Sequence, residues 1–255
     1  MKLNYKSFGS GRPVLILHGL FGMLDNWQQF AKRLAAGYKV YIIDLRNHGK
    51  SPHSDVFDYD AMSEDLVSFL VHHDISQANL IGHSMGGKLA LRFASSYPAY
   101  VDKTIIIDIG IKRYKPIHIS ILKALNSLNL SQFHSRNQID DKLEEAIPNK
   151  SIRQFLLKNV SRNIGKDGYH WKMNIEAITN NYNLIIDKIE LKSDIINDCL
   201  FIKGANSDYI LEEDKKDILL QIPNANFITI PNAGHWVHAE QAKLLLDIID
   251  KYLSS

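Results

Sequence analysis

Short apolar runs recur along the chain at Val14–Leu17, Val40–Ile43, Asn79–Ile81, Thr104–Ile107, Leu200–Ile202 and Phe227–Ile230. Each is too short for a stable helix and most are rich in β-branched residues, which predicts strands. The runs are continuously apolar rather than alternating, the pattern of parallel strands covered on both faces. Between them, Trp27–Ala36, Ala61–His72, Gly86–Ser95 and Ala239–Tyr252 carry apolar residues at helical spacing. Strand and helix in alternation predict an α/β fold built on a doubly wound, mostly parallel sheet. Ligands of such sheets bind beyond the carboxyl ends of the strands.

The middle of the chain breaks this pattern. Residues 111–195 read as polar and helical, with no convincing strand. Short amphipathic helices are expected over Ile121–Leu130, Asp140–Ala146, Ile152–Asn159 and Ile175–Ile178. The alternation resumes at Cys199. The expected organisation is a core of residues 1–110 and 196–255, with residues 111–195 as a helical cap or lid above the sheet.

Three motifs stand where expected strands end. Gly82-His83-Ser84-Met85-Gly86 follows one apolar run and precedes a helix. A turn from strand to helix this tight strains the backbone at Ser84. Glycines on either side remove the Cβ clashes, and the hydroxyl projects into the open as a nucleophile. By itself the pattern also fits a plain turn with a solvated serine; the strand before and the helix after give it weight. His18-Gly19-Leu20-Phe21-Gly22 follows another run. Acyl transfer needs two backbone N–H donors for the oxyanion, one from the residue after the nucleophile and one from an early strand's loop. Met85 and Leu20 are the candidates, with Phe21 the alternative to Leu20. His18 is read as a loop-holding residue rather than a base. The third motif, Gly234-His235, follows the last run. His235 is the candidate base; His238, at a helix start, suits a packing or capping role.

The acid partner of His235 has two candidates. Asp208 lies in the loop after Leu200–Ile202, one residue beyond Ser207, and is otherwise a solvated loop residue. Asp108 ends the run Thr104–Ile107, where a charge is costly unless partnered. That cost favours Asp108.

Together these stretches resemble the α/β-hydrolase superfamily, and within it the YbfF-type esterases. The resemblance also covers Asp44-Leu45-Arg46-Asn47-His48-Gly49-Lys50-Ser51, Gly204-Ala205-Asn206-Ser207 and Trp236-Val237-His238-Ala239-Glu240. It implies Asp108 as the acid, esterase or thioesterase activity on short to medium acyl groups, and no cofactor. The Arg46–Ser51 loop is expected to be structural, with Arg46 bonding neighbouring loops. Phe21 and Trp236 are candidate substrate-binding residues, and Trp27, Trp171 and Phe155 further candidates for the pocket wall. A C–C bond hydrolase or lyase on the same fold, or a non-catalytic binding module, are the alternatives.

Composition narrows the picture. The net charge of +2 over 255 residues argues for neither nucleic acid nor an anionic membrane as partner. The one cysteine, Cys199, allows no internal disulfide and fits a reducing compartment. The amino terminus shows no apolar secretory leader, and no stretch approaches the roughly 18 apolar residues of a membrane span. The cytoplasm is the expected location. No spacing suggests a metal site, and His72-His73-Asp74 reads as a solvated face.

Overall fold

The computed structural model describes residues 1–165 and 167–255. The core elements are β1 (Tyr5–Phe8), β2 (Pro13–Leu17), α1 (Gln28–Leu34), β3 (Lys39–Ile43), α2 (Tyr59–His72), β4 (Ala78–His83), α3 (Met85–Ser96) and β5 (Val101–Ile107). The segment that follows holds α4 (Ile119–Ser127), α5 (Arg136–Glu144), α6 (Lys150–Leu157), β6 (Val160–Arg162), β7 (Tyr169–Trp171) and α7 (Ile175–Ile186). The chain then returns to the core through β8 (Asp198–Gly204), α8 (Glu212–Gln221), β9 (Ala225–Ile230), α9 (Val237–Glu240) and α10 (Ala242–Ser254).

The main sheet runs β1-β3-β2-β4-β5-β8-β9. Every pairing in it is parallel except β1 with β3. From β2 the chain crosses one way to β3 and then back past β2 to β4. The order therefore reverses between β2 and β4, and a crevice opens beyond their carboxyl ends.

Successive strand residues feed opposite faces. Leu15 and Leu17 of β2 join one core with Leu66 of α2 and Leu89 and Phe93 of α3. Val14 and Ile16 join the other with Phe30 and Leu34 of α1 and Leu245 and Ile249 of α10. Burial on both faces explains why these strands read as unbroken apolar runs.

The segment between β5 and β8 packs on the first of these cores, through residues such as Leu122, Leu143 and Leu156. It is tethered by buried polar groups. Lys88 of α3 donates from Nζ to Lys112 O at 2.8 Å and to Asp187 O. One amine thus holds both ends of the segment. Tyr59 Oη donates to Ile185 O at 2.7 Å, and Asn174 N–H to Asn47 O at 2.9 Å.

The structure corrects the expectation of a strand-free middle. β6 and β7 pair antiparallel as a small second sheet. At three residues each, they are too short to carry a periodic signal. The expected helix at Ile175–Ile178 continues to Ile186, because Ile178, Tyr182, Ile185 and Ile186 keep one face buried through an asparagine-rich sequence. The final helix divides at Gln241 into α9 and α10.

Candidate active site

Ser84 stands between β4 and α3 with φ 52° and ψ −120°. Such a positive φ is strained for a residue with a Cβ. A Cβ on Gly82 would overlap the Gly86 backbone, and one on Gly86 would overlap the Leu17 carbonyl. The two glycines thus permit the close approach that the turn requires. Phe21 and Asp108, also just beyond strand ends, have φ of 61° and 51°. Three strained residues gather at one sheet edge.

The carboxyl edge brings Ser84, His235 and Asp108 together. His235 Nε2 lies 3.1 Å from Ser84 Oγ. On its other side His235 Nδ1 lies 2.8 Å from Asp108 Oδ2. A carboxylate only accepts, so Nδ1 carries the proton and Nε2 is free to accept from the serine. Asp108 is fully buried. Its Oδ1 accepts from Gly204 N–H at 3.0 Å, and its Oδ2 also accepts from Ser207 Oγ. Hydrogen bonds to both oxygens fix the orientation of the carboxylate. Asp208 is exposed and lines a neighbouring cavity, with no bond to His235.

Two neighbours fix the His235 ring. Tyr209 stacks on it with centroids 3.7 Å apart and planes 16° apart. His83 Nε2 donates to the His235 carbonyl at 2.8 Å. Neither contact was evident in the sequence, nor was the role of Ser207. A serine after Gly204-Ala205-Asn206 has no distinctive pattern; only the juxtaposition with Asp108 reveals it.

The oxyanion candidates separate clearly. Phe21 N–H donates to His48 Nε2 at 3.3 Å and so is already engaged. Among the described residues, no protein acceptor takes the N–H of Leu20 or Met85. Met85 opens α3, where the helix dipole adds partial positive charge.

Of the surrounding histidines, His18 and His48 are buried and His238 half-buried, and all three are neutral near pH 7. His18 accepts from Leu45 N–H at 3.0 Å and bonds the Gly19 carbonyl at 2.8 Å, so it holds the loop as expected. Burial pushes its pKa down to about 4. His48 is pushed down to about 3 by burial and then by His18. His238 is pushed down to about 3 by burial and then by His235. It lies in α9 and stacks on Trp27 at 4.4 Å, a packing role. Arg46 bonds Asp65 at 2.6 Å and the carbonyls of Val56 and Ala61, which ties its loop to α2. Cys199 is buried on β8, where burial pushes its thiol pKa up.

Two cavities meet at Ser84. The first, about 260 Å³, is walled by Phe21, Trp27, Phe155 and Trp236 and includes His235. Trp171, on β7, is not in either wall. The second, about 600 Å³, runs between α3 and the segment that joins β5 to β8, past Met85, Ile109, Ile186 and Lys88. No group of three or more His, Cys, Asp or Glu side chains is arranged to hold a metal among the described residues. No helix among them is long and apolar enough to cross a membrane.

A strained serine at the switch point, a histidine bonded to it and a buried carboxylate behind that histidine are the parts of a serine hydrolase. Residues 12–242 match the alpha/beta hydrolase fold family, and the chain belongs to it. It is 35% identical over 262 residues to esterase YbfF of Escherichia coli, covering 100% of both chains. It is 37% identical over 244 residues to a putative esterase/lipase of Haemophilus influenzae, covering 95% of this chain and 83% of that one. Among solved structures, a marine microorganism esterase superposes with a TM-score of 0.94 at 40% identity, covering 97% of each chain. The chain is accordingly an enzyme of the hydrolase class.

Proposed function

We propose that the protein is a serine hydrolase that cleaves carboxylic esters or thioesters of short to medium acyl groups through an acyl-Ser84 intermediate. The observation that carries this reading is the continuous relay from Ser84 Oγ through the His235 ring to Asp108. His235 Nε2 takes the Ser84 proton as Oγ attacks the substrate carbonyl. The Leu20 and Met85 N–H groups stabilise the oxyanion that forms. Asp108 holds the His235 tautomer and stabilises the imidazolium. The tetrahedral intermediate collapses, the leaving alcohol or thiol takes the proton from His235, and the acyl group stays on Ser84. Water, deprotonated by His235, then attacks the acyl-enzyme and releases the acid.

Residues 111–195 act in this reading as the cap over the site. The apolar wall formed by Phe21, Trp27, Phe155 and Trp236 contacts the substrate. No observation favours C–C bond cleavage or a non-catalytic role. The single cysteine is buried, in keeping with a reducing compartment, and the cytoplasm is the location we assign. The small net charge gives no support for a nucleic-acid partner.

A fluorophosphonate probe tests the class. Wild type labels and Ser84→Ala does not, with ester turnover down by at least about 10⁴-fold. Equal labelling of the two proteins overturns the assignment. A chain-length panel of nitrophenyl esters and acyl thioesters then ranks the substrates.

A further inference from the structure

Both cavities are lined by Leu20, Ser84, Ile117, His118 and Tyr209. These residues form the neck at which the cavities join. Because Ser84 is in the neck, the scissile ester must be there too. Ile117 and His118 come from the inserted segment, and of the two only His118 carries a polar side chain.

The orientation of His118 is fixed on one side. Its backbone N–H donates to Tyr182 Oη at 3.1 Å, and its Nδ1 lies 2.9 Å from the same oxygen. Tyr182 is buried, and its single hydroxyl proton has no other acceptor among the described residues. The network therefore assigns that proton to a bond with His118 Nδ1, which makes Nδ1 an acceptor. In the neutral ring the remaining proton is on Nε2. Burial, and then the nearby His235, push the His118 pKa down to about 4, so the ring is neutral near pH 7. With Nδ1 held by Tyr182 and Nε2 protonated, His118 is a donor and not a rival base. No protein acceptor among the described residues takes the Nε2 proton. Phe21, the strained residue of the oxyanion loop, meets the imidazole edge to face with centroids 5.7 Å apart.

We propose that His118 is a specificity-determining residue whose Nε2–H binds an acceptor oxygen on the alcohol portion of the substrate, a short distance from the scissile ester. The alcohol arm is assigned because the leaving oxygen must come within reach of His235 to take its proton, and His118 and His235 both line the first cavity, whereas His235 does not line the second. The preferred class is then esters of oxygen-bearing alcohols over esters of plain alkanols. A donor built to meet such an oxygen loses its partner when a methylene stands there. This inference rests on the Ser84 reading.

The test uses two isosteric esters that differ by one atom, 2-methoxyethyl butyrate and n-butyl butyrate, with acid release followed by titration. Wild type is expected to favour the methoxyethyl ester about tenfold in kcat/KM. His118→Phe should bring that ratio to about one, whatever change in rate the two esters share. His118→Gln, which keeps an N–H donor, should retain part of the preference, and thermal unfolding shows that each variant is folded. The inference is overturned by a wild-type ratio near one, or by a His118→Phe ratio equal to that of wild type. If wild type cleaves neither ester and takes no fluorophosphonate, the Ser84 reading falls and His118 with it. Should wild type label and cleave both esters with no preference, only the His118 inference is lost.

Discussion

The carboxyl edge of the main sheet and the segment between β5 and β8 both border Ser84, but they are held by different means. At the sheet edge the backbone does the positioning. Ser84, Phe21 and Asp108 take positive φ at strand ends, and Gly82 and Gly86 allow the chain to close on itself. In the segment, side chains do the positioning. Tyr59 and Asn159 each reach across to one carbonyl oxygen, and Lys88 to two. A site held by backbone constraint tolerates few sequences, so it leaves a motif. One held by individual tethers can be built from many residue types.

The largest expected effect tests the sheet edge. Asp108→Asn should lower kcat for a nitrophenyl ester by about 10⁴-fold, because an amide no longer fixes the productive His235 tautomer. Asp208→Asn, on an exposed loop with no bond to His235, should change kcat by less than about threefold. A loss confined to Asp208→Asn would reverse the assignment and move the acid from strand end to loop.

The legibility of the chain follows the same division. Asp108 could be favoured from sequence because an unpartnered carboxylate at the end of a buried strand is costly. The strands around it were legible because burial on both faces makes them continuously apolar. β1 escaped notice because Tyr5-Lys6-Ser7-Phe8 is a partly exposed edge strand with polar residues between aromatic ones. The hairpin of β6 and β7 has too few residues to show a period. Ser207 and His118 bear on the site only through partners 99 and 64 residues away in sequence, Asp108 and Tyr182. Long-range pairing of ordinary residue types leaves no local signal. Trp171 shows the converse, since a large aromatic suggested a pocket wall and stands outside both cavities.

A second, smaller effect concerns stability. His18, His48, His83 and His238 lie at or near the sheet edge, and each has its pKa pushed below the usual value, chiefly by burial. In the unfolded chain they take protons near pH 6.5, whereas in the folded protein they remain neutral to about pH 4 for His18 and about 3 for His48 and His238. The unfolded state therefore binds more protons as pH falls below 6.5, and stability is lost with acid rather than with base. Each such histidine removes up to about 1.4 kcal/mol per pH unit across that window. Urea midpoints should fall steeply from pH 7 to pH 5, with the far-ultraviolet and fluorescence transitions moving together. A flat profile would mean that the edge admits charge far more readily than its burial implies.

The smallest effect probes the one place where the two modes of positioning meet. Asn159, fully buried just beyond α6, donates from Nδ2 to the Phe21 carbonyl at 2.8 Å. The Phe21 N–H is held separately by His48. Phe21, the residue that follows the Leu20 donor, is thus pinned at its N–H by the core and at its carbonyl by the segment between β5 and β8. Asn159→Ala leaves the Phe21 carbonyl buried without that donor, at a cost of about 1–2 kcal/mol. That corresponds to a fall in Tm of a few degrees for a chain of this size. If the tether also sets the oxyanion loop, kcat should fall about three- to tenfold, with little change in KM. Asn159→Asp keeps the shape but replaces the donor with a carboxylate facing a carbonyl, so its loss should exceed that of alanine. If both variants lose stability while kcat stays at the wild-type value, the sheet edge sets its own geometry and the segment only rests on it. A matched fall in kcat would mean that the strained backbone at Phe21 needs the segment to hold its catalytic form.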